Sequence, residues 1–581
     1  MPFRYLTFYL PFVKIDYNKL CNLFLNGGDF SMQIFAIIIS IILFSILFFF
    51  FEDKREQKRI RSSFQQCYGQ KIHSKTSTLE NLDEISLYYN LIKKEIPSDE
   101  LVDEITWEDL EMNKIFEKVN HTTSYVGEQF LFSELHRLPK DKANLTLREK
   151  MIRFFHDNPE KRVDTQCILH KLQKESIHFY IPEFIQLLHP QTIPFVGLYK
   201  WLLYSLLFFF FSGMITQNSY LLFAAAINFF LNLALYAVNK MKYELYLESL
   251  SGIIATVKTA KSLSALYPME SSSLSDSIQN LDKISHMVVL LKQKKQIGFS
   301  GDVLGLVTDY FFGAFMLDFI LYERVLKVLL HRKDDFFSLF QFVGEMDLCI
   351  AIASFRESLP YYCCPNFHET NFCTTALYHP LIENAVANDF QLKKGCIITG
   401  SNASGKSTFI KAIATNFILG QSVNTCTAKT ISIPNVKVLT SMSLRDDVTS
   451  GESYYMREIK YLYRMIKESK NGRTIFCGID EILRGTNTAE RIAASIAILH
   501  YLYQTNCILI VATHDLELAK TLDKIYENYY FCESIQNGDV VFDYQIRSGI
   551  CSSYNAIRLL ESIGFPEEII KEARFLRTSE Q

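Results

Sequence analysis

The sequence predicts an α plus α/β chain with three membrane-spanning helices. Three observations lead there. Uncharged apolar runs are long enough to cross a bilayer, the middle of the chain is poor in Gly and Pro with helical spacing, and the C-terminal third alternates short apolar strands with helices. At 581 residues the chain is too long for one core, so about three or four folded units are expected. The pattern divides into an N-terminal segment (1–31), an anchor (32–52), a first helical part (53–200), a membrane hairpin (201–238), a second helical part (239–375) and an α/β domain (376–581).

The 60 basic and 63 acidic residues leave a net charge of −3, which excludes the global basic field of a dedicated nucleic-acid coat. The 13 cysteines lack an even framework and fit a reducing compartment better than a disulfide scaffold.

The anchor reads IFAIIISIILFSILFFFF (34–51) and is followed at once by EDKREQKRIR (52–61). At 1.5 Å per residue it spans about 27 Å, close to the hydrocarbon thickness. The basic cluster behind it holds that end on the cytoplasmic side, and neither leading charges nor a small-residue cleavage site marks a signal peptide. Met32 is an alternative start that sets the anchor at the very N-terminus. The second apolar block divides at GMITQNS (213–219), with Lys200 before it and Lys240 and Lys242 after it. Both flanks are basic, so both ends lie inside and the block is a hairpin. Asn228 and Asn232 lie four apart on one helix face, either bonded to a neighbouring helix or simply tolerated in lipid. A third run, 303–322, carries Asp309 and Asp318 on opposite faces, which no single groove hides. It is expected to be a buried soluble helix, since a fourth span would move the C-terminal domain to the outer side. The expected protein is therefore multi-pass in the cell membrane, with its α/β domain cytoplasmic.

The stretches 109–135 and 243–266 have apolar residues three and four apart, the spacing of one buried helix face, and nothing in this region looks catalytic. Cys363, Cys364, His368 and Cys373 cluster tightly, yet adjacent cysteines seldom share one structural ion. Buried cysteines are expected rather than zinc.

The chemistry lies further on. Gly400-Ser401-Asn402-Ala403-Ser404-Gly405-Lys406-Ser407-Thr408 satisfies G-x-x-x-x-G-K-[ST], and it follows a short apolar strand and opens a helix. In that frame the backbone N–H groups wrap the phosphates of ATP, Lys406 reaches the outer ones, and Ser407 ligates Mg²⁺. An apolar strand ending in Asp480 and Glu481 comes next. Asp480 is placed to hold Mg²⁺, Glu481 to polarise the attacking water. The strand ILIVAT then ends beside His514, where such sheets meet the γ-phosphate.

GSNASGKST, DEILRGTNT, ATHDLEL and LRDDVTSGESYYMREI (444–459) together resemble the ATPase of the MutS family, the mismatch-repair ATPases of the ABC class. GEMDLCIAIASFRE (344–357), ALYHPLIE (376–383) and 546–573 are similar to the segments flanking that domain, and 112–139 to the start of the family's helical core. The resemblance implies a P-loop ATP hydrolase that works as a homodimer around two ATP·Mg²⁺. It assigns to Ser453 a catalytic role on the partner's ATP, and it implies duplex DNA as a partner. Three departures are visible. A Phe-x-Glu mismatch reader is missing ahead of the core, and Leu483 replaces a Gly usual after Asp-Glu-Ile. A membrane hairpin also interrupts the core from which the family's DNA clamp branches. The leading expectation is a membrane-anchored, DNA-associated ATP switch; the alternative is a non-DNA mechanochemical ATPase acting on a membrane or repair partner yet to be identified.

Overall fold

The structure is a computed structural model. It describes residues 51–70 except 53, 81–186, 196–267, 272–286, 313–368, 372–401, 404–442, 454–484, 487–536, 539–550 and 556–579. The anchor up to residue 50, the run 301–312, Asn402, Ala403 and Ser453 lie outside the described residues. The chain forms two compact units, Met1–Gln66 and Cys67–Gln581. The first contributes a helix over 54–66.

The helical part of the second unit includes α1 (Glu104–Asp109), α2 (Tyr125–Leu135), α3 (Ala143–Asp157), α4 (Val196–Thr216), α5 (Ser219–Leu266), α6 (Leu317–Leu330) and α7 (Lys333–Ser358). Ser124 starts α2 by accepting the Gly127 N–H, the usual way a hydroxyl satisfies a free donor of the first turn. α2 and α7 cross at two glycines. A Cβ on Gly127 would overlap Asp347, and one on Gly344 would overlap Phe130. Asp347 is fully buried and accepts from Ser124 Oγ at 2.6 Å, Ser124 N at 2.8 Å and Thr123 N at 2.9 Å. A carboxylate at a helix N-terminus is well matched to the helix dipole and to those orphan donors.

α4 and α5 form the hairpin. Gln217 takes a left-handed conformation (φ 50°), and Asn218 caps α5 by accepting the Tyr220 N–H. Of the two readings of its asparagines, hydrogen bonding is what is found. Asn228 donates to Ser205 Oγ on α4 at 2.6 Å, and Asn232 donates to the Ala314 carbonyl at 2.9 Å. Outward, α4 carries Trp201, Tyr204, Phe208, Phe211 and Ile215, one exposed stripe at helical spacing. α5 adds exposed Tyr220, Phe223 and Phe230.

α5 does not stop at the end of the hairpin. It runs 48 residues without a break, about 72 Å, and its last turns bury Leu250, Ile253, Ile254, Val257, Ala260 and Leu263 in the main core. α6 braces the base of the hairpin. Phe319 packs against Tyr199 and Tyr236, and Glu323 pairs with Lys200 at 2.6 Å. For the run 303–322, expected as one buried helix, the burial agrees at Ala314, Met316 and Phe319. The single helix does not. Met316 is left-handed (φ 53°) and starts α6 anew, just past the point where the Tyr236 ring closes on Gly313.

Among the described residues three helices are long and apolar enough to cross a membrane: Gly197–Thr216, Ser219–Asn239 and Lys333–Ser358. The third is α7, a core helix rather than part of the expected set, with 78% of its apolar window buried by protein against 22% and 17% for the other two.

Among the described residues the α/β part has twelve strands: β1 (Asn366–Phe367), β2 (Phe372–Leu377), β3 (Asn388–Leu392), β4 (Gly395–Thr399), β5 (Thr430–Ile433), β6 (Lys437–Ser441), β7 (Ile475–Asp480), β8 (Cys507–Thr513), β9 (Glu527–Tyr530), β10 (Glu533–Gln536), β11 (Asp539–Phe542) and β12 (Arg547–Ser548). The main sheet runs β12-β9-β4-β8-β7-β6, and all its pairs except β12–β9 are parallel. A smaller sheet runs β1-β5-β2-β3, and β10 with β11 makes a hairpin. β4, β6 and β8 are buried at every position, as strands covered on both faces must be. The expected burial of the cysteine cluster fails at Cys373, which alternation along β2 turns outward; Cys363 and Cys364 are half-buried.

Helix α8 (Lys406–Val423) follows β4, and two buried arginines of the helical part grip its far end. Arg148 on α3 donates to the Ser422 carbonyl at 2.6 Å while pairing with Glu345 and Glu134. Arg356 on α7 donates to the Asn424 carbonyl at 2.8 Å and to Thr425 Oγ1 at 2.9 Å while pairing with Glu149 at 2.7 Å. Cations at a helix C-terminus answer its unpaired carbonyls. Helix α9 (Tyr454–Glu468) precedes β7, and α10 (Thr488–Gln504) links β7 to β8.

Candidate functional site

Strand register assembles the site. Thr399 at the end of β4 pairs with Thr513 at the end of β8, and Asp480 at the end of β7 pairs with Ala512. The three following loops therefore emerge side by side at the carboxyl edge of the sheet, where open parallel sheets bind ligands.

The first loop, Gly400–Gly405, is shaped by two left-handed glycines. At Gly400 (φ 148°) an added Cβ would sit 2.7 Å from the Phe531 carbonyl; at Gly405 (φ 104°) it would meet the Tyr544 ring at 3.1 Å. Gly405 then opens α8, whose first residues are Lys406, Ser407 and Thr408. Lys406 is buried, and its ammonium folds back to donate to the Gly400 carbonyl at 2.8 Å and the Ser401 carbonyl at 2.7 Å. Burial lowers its pKa, while nearby Asp480 and Glu481 work the other way. Ser401 Oγ donates to Glu533 at 2.8 Å, and the buried Ser404 hydroxyl has no hydrogen-bond partner among the described residues. Ser407 is half-buried and Thr408 exposed.

The second loop carries Glu481, left-handed at φ 62°. Both of its oxygens are engaged: Oε1 with His514 Nδ1 at 3.1 Å and Oε2 with Arg484 Nε at 2.5 Å. Burial alone would raise the Glu481 pKa, but His514 and Arg484 outweigh it and the net shift is downward. The Glu481 hydrogen bond raises the His514 imidazole against the opposing effect of burial. Leu483 explains why a Gly is favoured at that place, since its φ is 58°, a region costly for a side chain. Here burial, at 3% exposure, offsets that cost.

Lys406, Asp480, Glu481 and His514 thus come together from three separate segments of the chain, with Gly400, Ser401, Ser404, Gly405 and Ser407 around them. Sequence reasoning does not single out Glu533, Tyr544 or Arg484. Arg484 lies inside a quoted motif, whereas Glu533 and Tyr544 have no local signal and arrive through the β10–β11 hairpin and the turn after it.

Oxygen donors on Ser407 and Asp480 suit a hard divalent cation such as Mg²⁺, which takes few protein ligands when substrate phosphates supply the others. No group of three or more His, Cys, Asp or Glu is placed to hold a metal by itself among the described residues.

Comparison with known proteins adds the following. The family description MutS domain V matches residues 396–579. The chain is 27% identical over 239 residues to the DNA mismatch repair protein MutS of Thermus thermophilus, covering 40% of this chain and 29% of that protein. It is 32% identical over 218 residues to the DNA mismatch repair protein MutS of Clostridium kluyveri, covering 35% and 25%. With the DNA mismatch repair protein MutS 2 of Haloarcula marismortui the identity is 25% over 264 residues, covering 40% and 28%. The chain therefore spans less than a third of the length of these relatives.

Proposed function

We propose that this chain, which belongs to the MutS family through its C-terminal part, is a membrane-held ATP hydrolase that works as a dimeric switch. The observation that carries the hydrolase is the junction of Lys406 at the start of α8 with Asp480, Glu481 and His514 at the ends of adjacent strands. Lys406, released from the Gly400 and Ser401 carbonyls, binds the outer phosphates of ATP at the N-terminus of α8. Ser407 and Asp480 hold Mg²⁺, which when bound supplies charge neutralisation on the phosphates. Glu481 accepts a hydrogen bond from the attacking water, and His514 orients Glu481. Ser453 completes the site of the partner copy.

Replacing Lys406 by Ala should abolish ATP binding, while Glu481→Gln should bind ATP and turn over at least about a hundredfold more slowly. Calorimetric titration and phosphate release measure the two, and equal affinity in wild type and Lys406→Ala sinks the reading.

The membrane half rests on the exposed apolar stripe of α4 and α5, wider than soluble surfaces present. The two apolar segments, Gly197–Thr216 and Ser219–Asn239, are each about 30 Å long, with Trp201 and Tyr204 near one end and Tyr220 near the other. In a cysteine-free background, Asn218→Cys should label from outside intact cells, and Ser552→Cys only after lysis. Labelling of Ser552→Cys in intact cells defeats it.

DNA association is proposed from the relatives' names. A second reading, work on a membrane partner, is favoured by the unbroken passage of α5 from hairpin to core. Duplex binding by the detergent-solubilised chain over a salt series separates them, since phosphate contacts weaken linearly in log salt.

A further inference from the structure

We propose that Glu458 is a positioning residue for hydrolysis, holding the turn after β7 so that Glu481 keeps facing His514. This rests on the reading of Glu481 as the group that activates water. Two of the four residues in the turn 481–484 are left-handed without being glycine, Glu481 and Leu483. Such conformations persist only where the surroundings over-determine them. Leu483 is pinned by the second core, which includes Leu462 and Met465 of α9. The backbone is held by another residue of that helix.

Glu458 is 3% exposed, and its Oε1 accepts the Arg484 N–H at 3.3 Å. The Leu483 N–H acts on the same carboxylate. Arg484 in turn reaches back to Glu481 Oε2 at 2.5 Å. Arg484 is thus bracketed by two carboxylates, its backbone on Glu458 and its guanidinium on Glu481. Burial raises the Glu458 pKa, against the pull of those N–H groups, and its Oε2 has no hydrogen-bond partner among the described residues. A buried acid left partly unsatisfied is a costly way to stabilise a fold, and such costs collect where geometry serves chemistry.

The test is steady-state ATP hydrolysis by the full-length protein in detergent. Glu458→Ala should lower kcat at least about tenfold with KM within about twofold. Glu458→Gln, whose amide oxygen accepts the same N–H, should stay within about threefold of wild type in kcat. Leu483→Gly relaxes the left-handed turn, so in that background Glu458→Ala should cost about threefold or less. The proposal is overturned by unchanged kcat in Glu458→Ala, by a KM that moves with kcat, by Gln as damaging as Ala, or by an equal loss in both backgrounds. Glu481→Gln, run alongside, keeps the two readings apart. If it leaves turnover intact the hydrolase reading fails; if it stops turnover while Glu458→Ala behaves as wild type, only the role of Glu458 falls.

Discussion

α7 and the α4–α5 hairpin are alike in length and apolarity and opposite in surroundings. α7 is wrapped by α2 and α3, and along it Phe340, Val343, Leu348, Ile350, Ala351 and Ile352 are all buried. Among the described residues the hairpin meets protein along its seam and at its base beside α6, and it turns its aromatic stripe outward. Their polar groups differ in the same sense. α7 carries Asp347, Glu345 and Arg356, each hydrogen-bonded or ion-paired, while the hairpin uses the neutral amides of Asn228, toward α4, and Asn232, toward Ala314. A charge is tolerated in a protein interior when fixed donors answer it, whereas lipid offers no such donors. Composition identifies a helix that must leave water; its partners decide what it leaves water for.

The comparison breaks most sharply with one substitution in each region. Ala351→Arg places an unpaired charge in a closed core and should cost on the order of 5 kcal/mol, enough to abolish expression of folded protein. Phe211→Arg on the hairpin's outer face should leave the α/β part folded and, if the hairpin spans a bilayer as proposed, weaken membrane insertion by about 3 kcal/mol. Carbonate extraction and ATP binding read the two outcomes, and a folded Ala351→Arg protein would mean that α7 is not the buried member of the pair.

A smaller effect concerns the ion pairs confined to the core. Burial would raise the Glu149 carboxyl, but Arg356, with Arg153 and Asn424, holds it at about 2 against an ordinary 4.5. Because this folded-state value is depressed, the pair's stabilisation is complete above about pH 4.5 and is lost as pH falls toward about 2. Allowing for solvent screening, the loss is about 1–2 kcal/mol. Thermal midpoints of wild type and Glu149→Gln, measured between about pH 5 and 2.5, should converge as the pH drops. A constant gap between them refutes the assignment.

The smallest effect belongs to the bond between the hairpin and Ala314. Asn232→Leu removes one amide-to-carbonyl bond in apolar surroundings and should cost about 0.5–1.5 kcal/mol, with ATP hydrolysis unchanged. Unfolding in mixed detergent measures it, and a loss above about 3 kcal/mol would place Asn232 in a larger polar network than the one observed.

What the sequence determined by itself was whatever depends on near neighbours. Gly400 to Thr408 sit in one strand–loop–helix, Asp480 and Glu481 at one strand end and His514 at another, and each reads as chemistry because a short segment sets it. The hairpin was legible for the same reason, since apolar length and basic flanks are local properties. Tertiary structure alone decided the rest. It covered α7, broke the run 303–322 at Met316, turned Cys373 outward, and carried Tyr544 and Glu533 to the glycine-rich loop after β4 from a distant hairpin. It also buried Leu483, which stands where a glycine is usual, against α9, with Glu458 accepting the N–H of the next residue, Arg484. The reason is common to all of these. A backbone conformation or an exposure is fixed by the summed contacts of residues far apart in the chain, and no window of sequence contains that sum.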